Sequence, residues 1–253
     1  MKIRYVYAIL FLLCTVTGFA QDAQAILKKA TNKLLLRDME LSLEVKEIRK
    51  NGRAKEKEFD VLMGTFKDVD KIRMLMQKPD RAKGVTIVVT NTSGKTGLIE
   101  ILTPANGKVR KMKATAKNMA LVGAGGFSSN YLTIDPEALD VKKLGTEEVD
   151  RKSYITLEVQ EKLQPENGKA RLLIDERTFH ITQIISFNAD STQKSQTNFY
   201  DFQSVEGTTK VYPYKVVTTE AGNSSKTEIK ILKVSQRVDI KESDFVLQKR
   251  IDE

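Results

Sequence analysis

The spacing of hydrophobic residues changes after about residue 36 of the chain. Before that point Ile26, Leu27 and Ala30 recur near helical spacing, while the neighbouring lysines fall on the other side. Asp22 can cap the first turn of such a helix, which we expect to run to about Leu36. The pattern favours an amphipathic helix packed on a sheet, and a helix on a membrane surface is the less favoured alternative.

Beyond this helix, apolar and polar residues alternate in short runs, which is typical of β-strands. Asn51-Gly52 separates two such runs and indicates a hairpin turn. Similar runs, joined by turns that contain Gly, Pro or Asn, follow between residues 70 and 113 and again between residues 152 and 233. We therefore predict one mainly β (α+β) domain with about eleven antiparallel strands.

The alternation stops in the middle of the chain. Residues 113–140 contain the apolar run Met119–Val122 and the glycine-rich run Gly123–Gly126. Asp135-Pro136-Glu137 predicts a short helix, with Asp as its cap and Pro at its first position. The carboxylates of Glu147-Glu148 then follow among lysines, which indicates a solvated loop.

The first twenty residues have the features of a signal peptide. Two basic residues precede the apolar stretch Ala8–Val16, which is too short to span a bilayer. Small residues before the end of this segment predict cleavage after Ala20, export to the periplasm and a single domain over residues 21–253. A leucine stands before Cys14, which argues against a lipid-anchored alternative.

The composition excludes several classes of chemistry. The 253 residues include one His, one Cys and no Trp, and the Cys lies in the predicted signal peptide. We therefore exclude a His-rich or Cys-rich metal site, a disulfide and a thiol nucleophile, and we expect no cofactor. The formal net charge is +9. In an exported protein this charge favours anionic lipid headgroups or an acidic partner over nucleic acid.

The candidate catalytic motifs are incomplete. Ser93-Gly94-Lys95-Thr96 resembles the end of a phosphate-binding loop, but Val89 occupies the place of the glycine that such a loop requires. His180 lies near Asp175, and no G-x-S-x-G sequence supplies a nucleophile. We therefore predict that the protein is not an enzyme and has no catalytic residue. A hydrolase that depends on His180 is the alternative.

Several of the predicted strands are apolar on both faces. Leu75, Val88 and Leu98 lie on the opposite parity from residues such as Ile72 and Ile87. Ordinary burial under helices and loops is one explanation. A partly open apolar cavity is the other, because only one long helix is predicted to cover a wide sheet. The methionines of these strands suit a pocket for flexible ligands, since the thioether chain repacks easily.

The order of features along the chain resembles that of the LolA-like outer-membrane lipoprotein-sorting proteins of Gram-negative bacteria. The resemblance covers essentially the whole chain after the predicted signal peptide. The segments that carry it are Lys71–Met74, Lys83–Val89, Leu102–Pro104, Lys108–Met112, Phe127–Tyr131, Asp135–Leu139, Ile174–Phe179 and Val238–Leu247. Leu98–Pro104 departs from the pattern, because related sequences often have Trp-x-Tyr-x-Pro there. The glycine-rich loop before Phe127 departs as well, so the cargo is left open.

The resemblance implies an unclosed antiparallel β-barrel with helices that cover its concave face as a lid. It also implies a monomeric periplasmic carrier that takes acylated lipoprotein from an inner-membrane donor to an outer-membrane acceptor. The alternatives are a related module that senses or shuttles another lipid, for example for an export pump, and a structural envelope protein without a ligand.

The parity of the strands then predicts which residues would contact acyl chains in a shallow trough. The predicted lining is Ile72, Met74, Met76, Val85, Ile87, Val89, Ile99 and Ile101. Met119, Leu121 and Val122 are the predicted flexible lid, and Arg73 or Arg110 is predicted to hydrogen-bond lid carbonyls or a lipid headgroup. A shift of one residue in parity would exchange the two faces of a strand.

Overall fold

The computed structural model describes one α-helix and thirteen β-strands that pair antiparallel. The described residues are 22–34, 37–67, 69–92, 97–105, 107–115, 118, 136–163, 165–222 and 225–247. The prediction of a mainly β, antiparallel protein is confirmed. Two details were wrong: thirteen strands replace the predicted eleven or so, and the described part of the chain holds one α-helix rather than several.

The elements alternate with short connections along the chain. Helix α1 covers residues 22–33. The strands are β1 (Met39–Ile48), β2 (Ala54–Phe66), β3 (Val69–Lys78), β4 (Thr86–Thr92), β5 (Leu98–Thr103), β6 (Lys108–Lys113), β7 (Leu139–Val149), β8 (Lys152–Glu161), β9 (Lys169–Asp175), β10 (Ile181–Phe187), β11 (Gln193–Ser204), β12 (Val211–Glu220) and β13 (Lys226–Gln236). Short 3₁₀ turns occupy Asp80–Ala82, Pro136–Ala138, Pro165–Asn167 and Glu242–Phe245.

The chain divides into two compact units. The first unit consists of residues 1–34 and 135–196, and the second consists of residues 35–134 and 197–253. Within the first unit the strand order is β10-β9-β8-β7, and within the second the order β6-β5-β4-β3-β2-β1-β13-β12 continues into the later part of β11. Both strand orders are therefore built from hairpins, except where β13 returns to pair with β1.

Helix α1 belongs to the first unit and buries one side. Ile26, Leu27 and Ala30 are buried as the helical spacing predicts, and the helix ends at residue 33. Its solvent side contacts the rest of the unit through charges. Lys28 forms an ion pair with Glu137 at 2.6 Å, and the Lys29 ammonium lies 3.6 Å from the centre of the Phe179 ring.

Strand β7 corrects the predicted loop around Glu147 and Glu148. These carboxylates lie on a strand of eleven residues that pairs with β8. The register shifts between Lys143 and Gly145, which is a β-bulge. Because a bulge adds one residue to the strand, it breaks the two-residue alternation by which strands are recognised. The charged composition of this strand concealed it further.

Gly168 in the turn before β9 provides a test of the backbone in the first unit. Its φ is +93°, and a Cβ built there would lie 2.1 Å from the carbonyl oxygen of Phe187. Gly168→Ala is expected to lower the free energy of unfolding by about 1–3 kcal/mol, because backbone must move to relieve the contact. Urea titration followed by far-ultraviolet circular dichroism measures this change.

Gly207→Ala is the matched control for this substitution. Gly207 also has a positive φ, of +73°, but a Cβ there meets no atom within 4 Å. Gly207→Ala therefore carries the cost of the positive φ without the steric clash. We expect it to lower the free energy of unfolding less than Gly168→Ala does. Equal losses in the two variants would show that the close approach to Phe187 contributes nothing.

In the second unit the sheet has one strongly apolar face. The predicted hairpin at Asn51-Gly52 is confirmed: Gly52 has a φ of +76°, and its N–H donates to the carbonyl oxygen of Arg49 at 2.8 Å. Strand β1 pairs with β2 on one side and with β13 on the other. Strand β1, near the start of this unit's sequence, and strand β13, near its end, are thus neighbours in the middle of its sheet.

The opposite face of this sheet, here called the back face, is covered in part by the end of the chain. Leu62 and Val88 on the back face pack with Phe245 of the last 3₁₀ turn, whose ring meets Phe66 edge to face at 5.5 Å between centroids. Lys71 pairs with Glu242 at 2.7 Å in the same region. Ordinary burial under the segment 240–247 therefore explains Val88 of the second apolar parity, whereas Leu98 of the same parity is 37% exposed.

Candidate functional site

The eight residues predicted to line a trough lie together on the other face of the second unit's sheet. Met74 pairs with Ile87, and Ile87 pairs in turn with Ile101. Ile72 and Ile99 flank Val89 in the same way. The full set comprises Ile72, Met74, Met76, Val85, Ile87, Val89, Ile99 and Ile101, and all eight pack in one cluster. We call this surface the apolar face.

Residues from distant parts of the chain extend the apolar face. Strands β1 and β2 add Met39, Leu41, Leu43, Val45, Phe59, Val61 and Met63, and strands β12 and β13 add Tyr212, Tyr214, Val216, Ile229, Ile231 and Val234. The alternation of β1 and β2 was visible in the sequence, whereas in β13 the register shift opposite Ser42 and Leu43 interrupts it between Ile231 and Val234. What was missing was any signal that β13 pairs with β1, and without that pairing the late strands could not be placed on the same surface.

Methionine is concentrated on the apolar face. The chain has seven methionines, of which Met1 and Met119 lie outside the described residues. The other five all belong to this one cluster: Met39, Met63, Met74, Met76 and Met112. A surface rich in these flexible, polarisable side chains changes shape at low cost.

The apolar face is closed in its centre and more open toward its two sides. Met74 and Ile99 are 0% exposed and Ile87 is 1% exposed. Val85 and Ile101 are half-buried, as is Met112 on strand β6, and on the other side Tyr214 and Val216 on β12 are half-buried as well. One half-buried edge of this surface, formed by Val85, Ile101 and Met112, therefore lies beside β6.

The two arginines predicted for a lid or headgroup lie on different faces. Arg110 pairs with Ile101 across β5 and β6, so it shares the apolar face, and it is exposed. Arg73 lies on the back face between Ile72 and Met74 in sequence, and its Nη1 donates to the carbonyl oxygen of Asp244 at 2.6 Å. Arg73 therefore holds a backbone carbonyl of the C-terminal segment, while Arg110 stands beside the half-buried edge.

The predicted lid lies outside the described residues. Met119, Leu121 and Val122 all fall in the stretch 119–135. Their role as a lid stays a prediction.

His180 occupies a structural turn in the first unit. The Asp175 carboxylate next to it accepts hydrogen bonds from the backbone N–H groups of Arg177 and Thr178, at 3.0 and 2.7 Å, and from the Thr178 hydroxyl. Burial raises the pKa of Asp175, but these bonds outweigh it and leave the pKa below its usual value. Burial lowers the pKa of His180, and the Lys33 charge adds to this against the opposing effect of Asp175. The Asp175 carboxylate therefore stabilises the β9–β10 turn through these hydrogen bonds.

Two further features bear on the kind of site that the protein can hold. Across the described ranges, no helix is long and apolar enough to cross a membrane. Within the same part of the chain, His, Cys, Asp and Glu side chains form no group of three or more that could hold a metal ion.

Comparison with known proteins places the chain in a family. A protein-family model described as "Uncharacterized protein" matches residues 68–249. The chain belongs to this family. The matched range begins after β2, so it contains all eight predicted lining residues but leaves out Phe59 and the rest of β1 and β2. No curated protein sequence matches the chain.

Three solved structures show the same fold. An outer membrane lipoprotein-sorting protein domain from Vibrio parahaemolyticus has a TM-score of 0.74 at 12% identity, over 89% of this chain and 97% of that one. A DUF1329 family protein from Desulfovibrio piger has a TM-score of 0.78 at 15% identity, over 91% and 99%. A LolA superfamily protein from Nitrosomonas europaea has a TM-score of 0.69 at 13% identity, over 88% and 97%. The fold is LolA-like.

Proposed function

We propose that this LolA-like protein binds acyl chains on the apolar face and carries lipoproteins through the periplasm toward the outer membrane. The observation that carries the proposal is the continuous apolar face itself, with its methionines and its half-buried edge at Val85, Ile101 and Met112. The likeness to a lipoprotein-sorting domain and to a LolA superfamily protein supports it.

The size of the apolar face suits a long hydrocarbon chain. Eight neighbouring strands, β12, β13 and β1 to β6, contribute to it in order. At a spacing of about 4.8 Å between strands, they extend the surface over about 34 Å along the sheet. Each methylene buried there would contribute about 0.8 kcal/mol, so one bound acyl chain supplies ample free energy for binding.

Burial of the centre requires the apolar face to open before an acyl chain enters. Met74 and Ile87 are covered by protein atoms, so hydrocarbon must displace the groups that cover them. We expect entry at the half-buried edge beside β6, whose side chains are already partly exposed. There Met112 can repack around a guest, and the Arg110 guanidinium is placed to meet the polar or anionic end of the lipid.

Export and partners belong to the same proposal. Residues 1–20 would act as the signal peptide, with cleavage after Ala20, and the mature protein would be a monomer without enzymatic activity. Lipoprotein would arrive from an inner-membrane donor and leave to an outer-membrane acceptor. Partial shielding of the acyl chains would allow the acceptor to compete for them.

A second candidate function follows from the same burial. Because the centre of the apolar face is closed, it also suits a structural envelope protein whose sheet is simply its core. The two candidates differ in one property that is readily measured, namely whether hydrocarbon gains access to the half-buried edge.

Photocrosslinking from the edge of the apolar face tests the proposal. A small diazirine amino acid at Ile101, which is half-buried, is expected to label added alkyne-tagged palmitate and a synthetic triacylated lipopeptide on irradiation. The same amino acid at Lys230, which is exposed on β13, is the matched control and should label neither above background. Gel fluorescence after attachment of a dye to the alkyne, and a shift in mass for the lipopeptide, report the products.

The outcomes separate the candidate functions. Labelling at Ile101 no stronger than at Lys230 would count against the acyl carrier and favour the structural protein. Labelling by palmitate with none by the lipopeptide would favour the related module for another lipid. Native mass spectrometry of protein purified from the envelope would then identify the lipid that copurifies.

A further inference from the structure

One end of the second unit's sheet carries an excess of exposed basic side chains. The hairpins β1–β2, β3–β4, β5–β6 and β12–β13 all turn at this end, since Ile48 pairs with both Ala54 and Lys226, and Thr86 pairs with both Leu75 and Leu102. We call this surface the turn end. The described residues of its connections are 49–53, 79–85, 104–105, 107, 221–222 and 225.

The β1–β2 hairpin projects well beyond the end of its neighbour β3. Strand β3 stops opposite Glu58, whereas β2 begins four residues earlier at Ala54. At about 3.3 Å per residue, the tip extends about 13 Å past the end of β3. The tip has the sequence Arg-Lys-Asn-Gly-Arg over residues 49–53, and all five residues are exposed.

The turn end carries more basic than acidic side chains. Acidic residues on the adjoining strands are already paired: Glu56 with Lys46 at 3.0 Å, and Glu58 with Lys78 at 2.7 Å. Beside these pairs, the basic side chains at this end are Arg49, Lys50, Arg53, Lys55, Arg81 and Lys83, and the acidic side chains near them are Asp80 and Glu220. All six basic residues are exposed, so this end has a positive field.

At the opposite end of the same sheet, a basic side chain is neutralised by two acidic ones. There Arg237 forms ion pairs with Glu40 at 2.6 Å and with Asp239 at 2.8 Å. Within the described residues, none of the six exposed basic side chains of the turn end forms such an ion pair with a carboxylate.

The hairpin tip does not use its basic side chains to hold its own shape. The Arg49 N–H donates to the carbonyl oxygen of Arg53, and the Arg53 N–H donates to Oδ1 of Asn51. The turn is thus maintained by backbone and asparagine hydrogen bonds. Side chains that contribute little to folding are available for contact with a partner.

We propose that the turn end binds the anionic surface of a phospholipid bilayer. Its six basic side chains are spread over two neighbouring turns, and a bilayer with acidic headgroups offers a broad field of negative charge that needs no matching arrangement. A folded acidic protein would need carboxylates placed to meet these side chains individually. The proposal deepens the proposed function by naming a membrane contact, but it is tested without any acyl cargo and so fails or holds independently of it.

Vesicle sedimentation tests the turn end directly. Protein purified after export is mixed with vesicles of phosphatidylcholine containing about 30% phosphatidylglycerol at low salt, and the bound fraction is measured. Each basic residue near such a surface strengthens binding about fivefold, so Arg49→Gln, Lys50→Gln and Arg53→Gln together should weaken partitioning about 100-fold. Raising the salt concentration should weaken binding of the unchanged protein as well.

The matched control removes the same number of charges elsewhere. Lys215→Gln, Lys230→Gln and Lys233→Gln together neutralise three exposed lysines on the back face. We expect this control to weaken partitioning less than about fivefold, and circular dichroism should show both triple variants folded. Equal losses in the two variants would mean that only net charge matters and would overturn the proposal. Failure of the unchanged protein to bind the anionic vesicles would also overturn it and would leave an acidic protein as the partner for these residues.

Discussion

Replacing Phe59 with alanine is expected to lower the free energy of unfolding by about 3–5 kcal/mol. Phe59 is 0% exposed in the middle of the apolar face, between Leu43 on β1 and Met76 on β3 in the strand register. Removal of the ring takes away its burial and leaves a cavity between three strands. The surrounding side chains are held by their own strands, so they can close the cavity only in part. Urea titration followed by circular dichroism gives the change.

Tyr200→Ala is the control for this prediction. Tyr200 is an aromatic residue of the same unit, but it is 45% exposed and makes only a distant contact with the Lys215 ammonium, at 5.6 Å from the ring centre. We expect a loss below about 1 kcal/mol for it. A small loss in Phe59→Ala would show that the centre of the apolar face collapses freely, and the description of that face as tightly packed would then be wrong.

Binding of fatty acids is expected to strengthen steeply with chain length. Palmitate has four methylenes more than laurate, and at about 0.8 kcal/mol for each buried methylene it should bind up to about 200-fold more tightly. The carboxylates of the two ligands are identical, so their contacts with a group such as Arg110 cancel in the comparison. Displacement of a fluorescent fatty acid, measured below the critical micelle concentrations, gives the ratio of the two dissociation constants.

A variant of the apolar edge separates this effect from adsorption to the surface. Ile101→Lys introduces a charge at the half-buried edge near Met112 and should reduce the dependence on chain length, because hydrocarbon that enters there loses its apolar contact. Lys230→Ile on the back face is the control and should leave the dependence unchanged. A ratio below about threefold between palmitate and laurate in the unchanged protein would contradict burial of the acyl chain.

Local patterns predicted much of the secondary structure. Helix α1 is present from residue 22 of the described range, where the sequence predicts a helix, and the Asn51-Gly52 turn joins β1 to β2. These features depend on residues that are close in sequence: a cap, a helical repeat, and a glycine that takes a positive φ. Strand β7 was missed because its bulge between Lys143 and Gly145 changes the alternation, and a bulge depends on the partner strand as well as on the bulged one.

The sequence by itself determined which residues share a face wherever a strand runs without a bulge, as over residues 69–76 of β3. Side chains alternate strictly along extended backbone, so Ile72, Met74 and Met76 had to lie together whatever surrounded them. Only the tertiary structure decided which strands are neighbours and what covers each face. The pairing of β13 with β1 and the packing of Phe245 on Leu62 join segments that are far apart in the chain. Such contacts depend on complementary surfaces that form only when the whole sheet assembles, and no local pattern of residues encodes them.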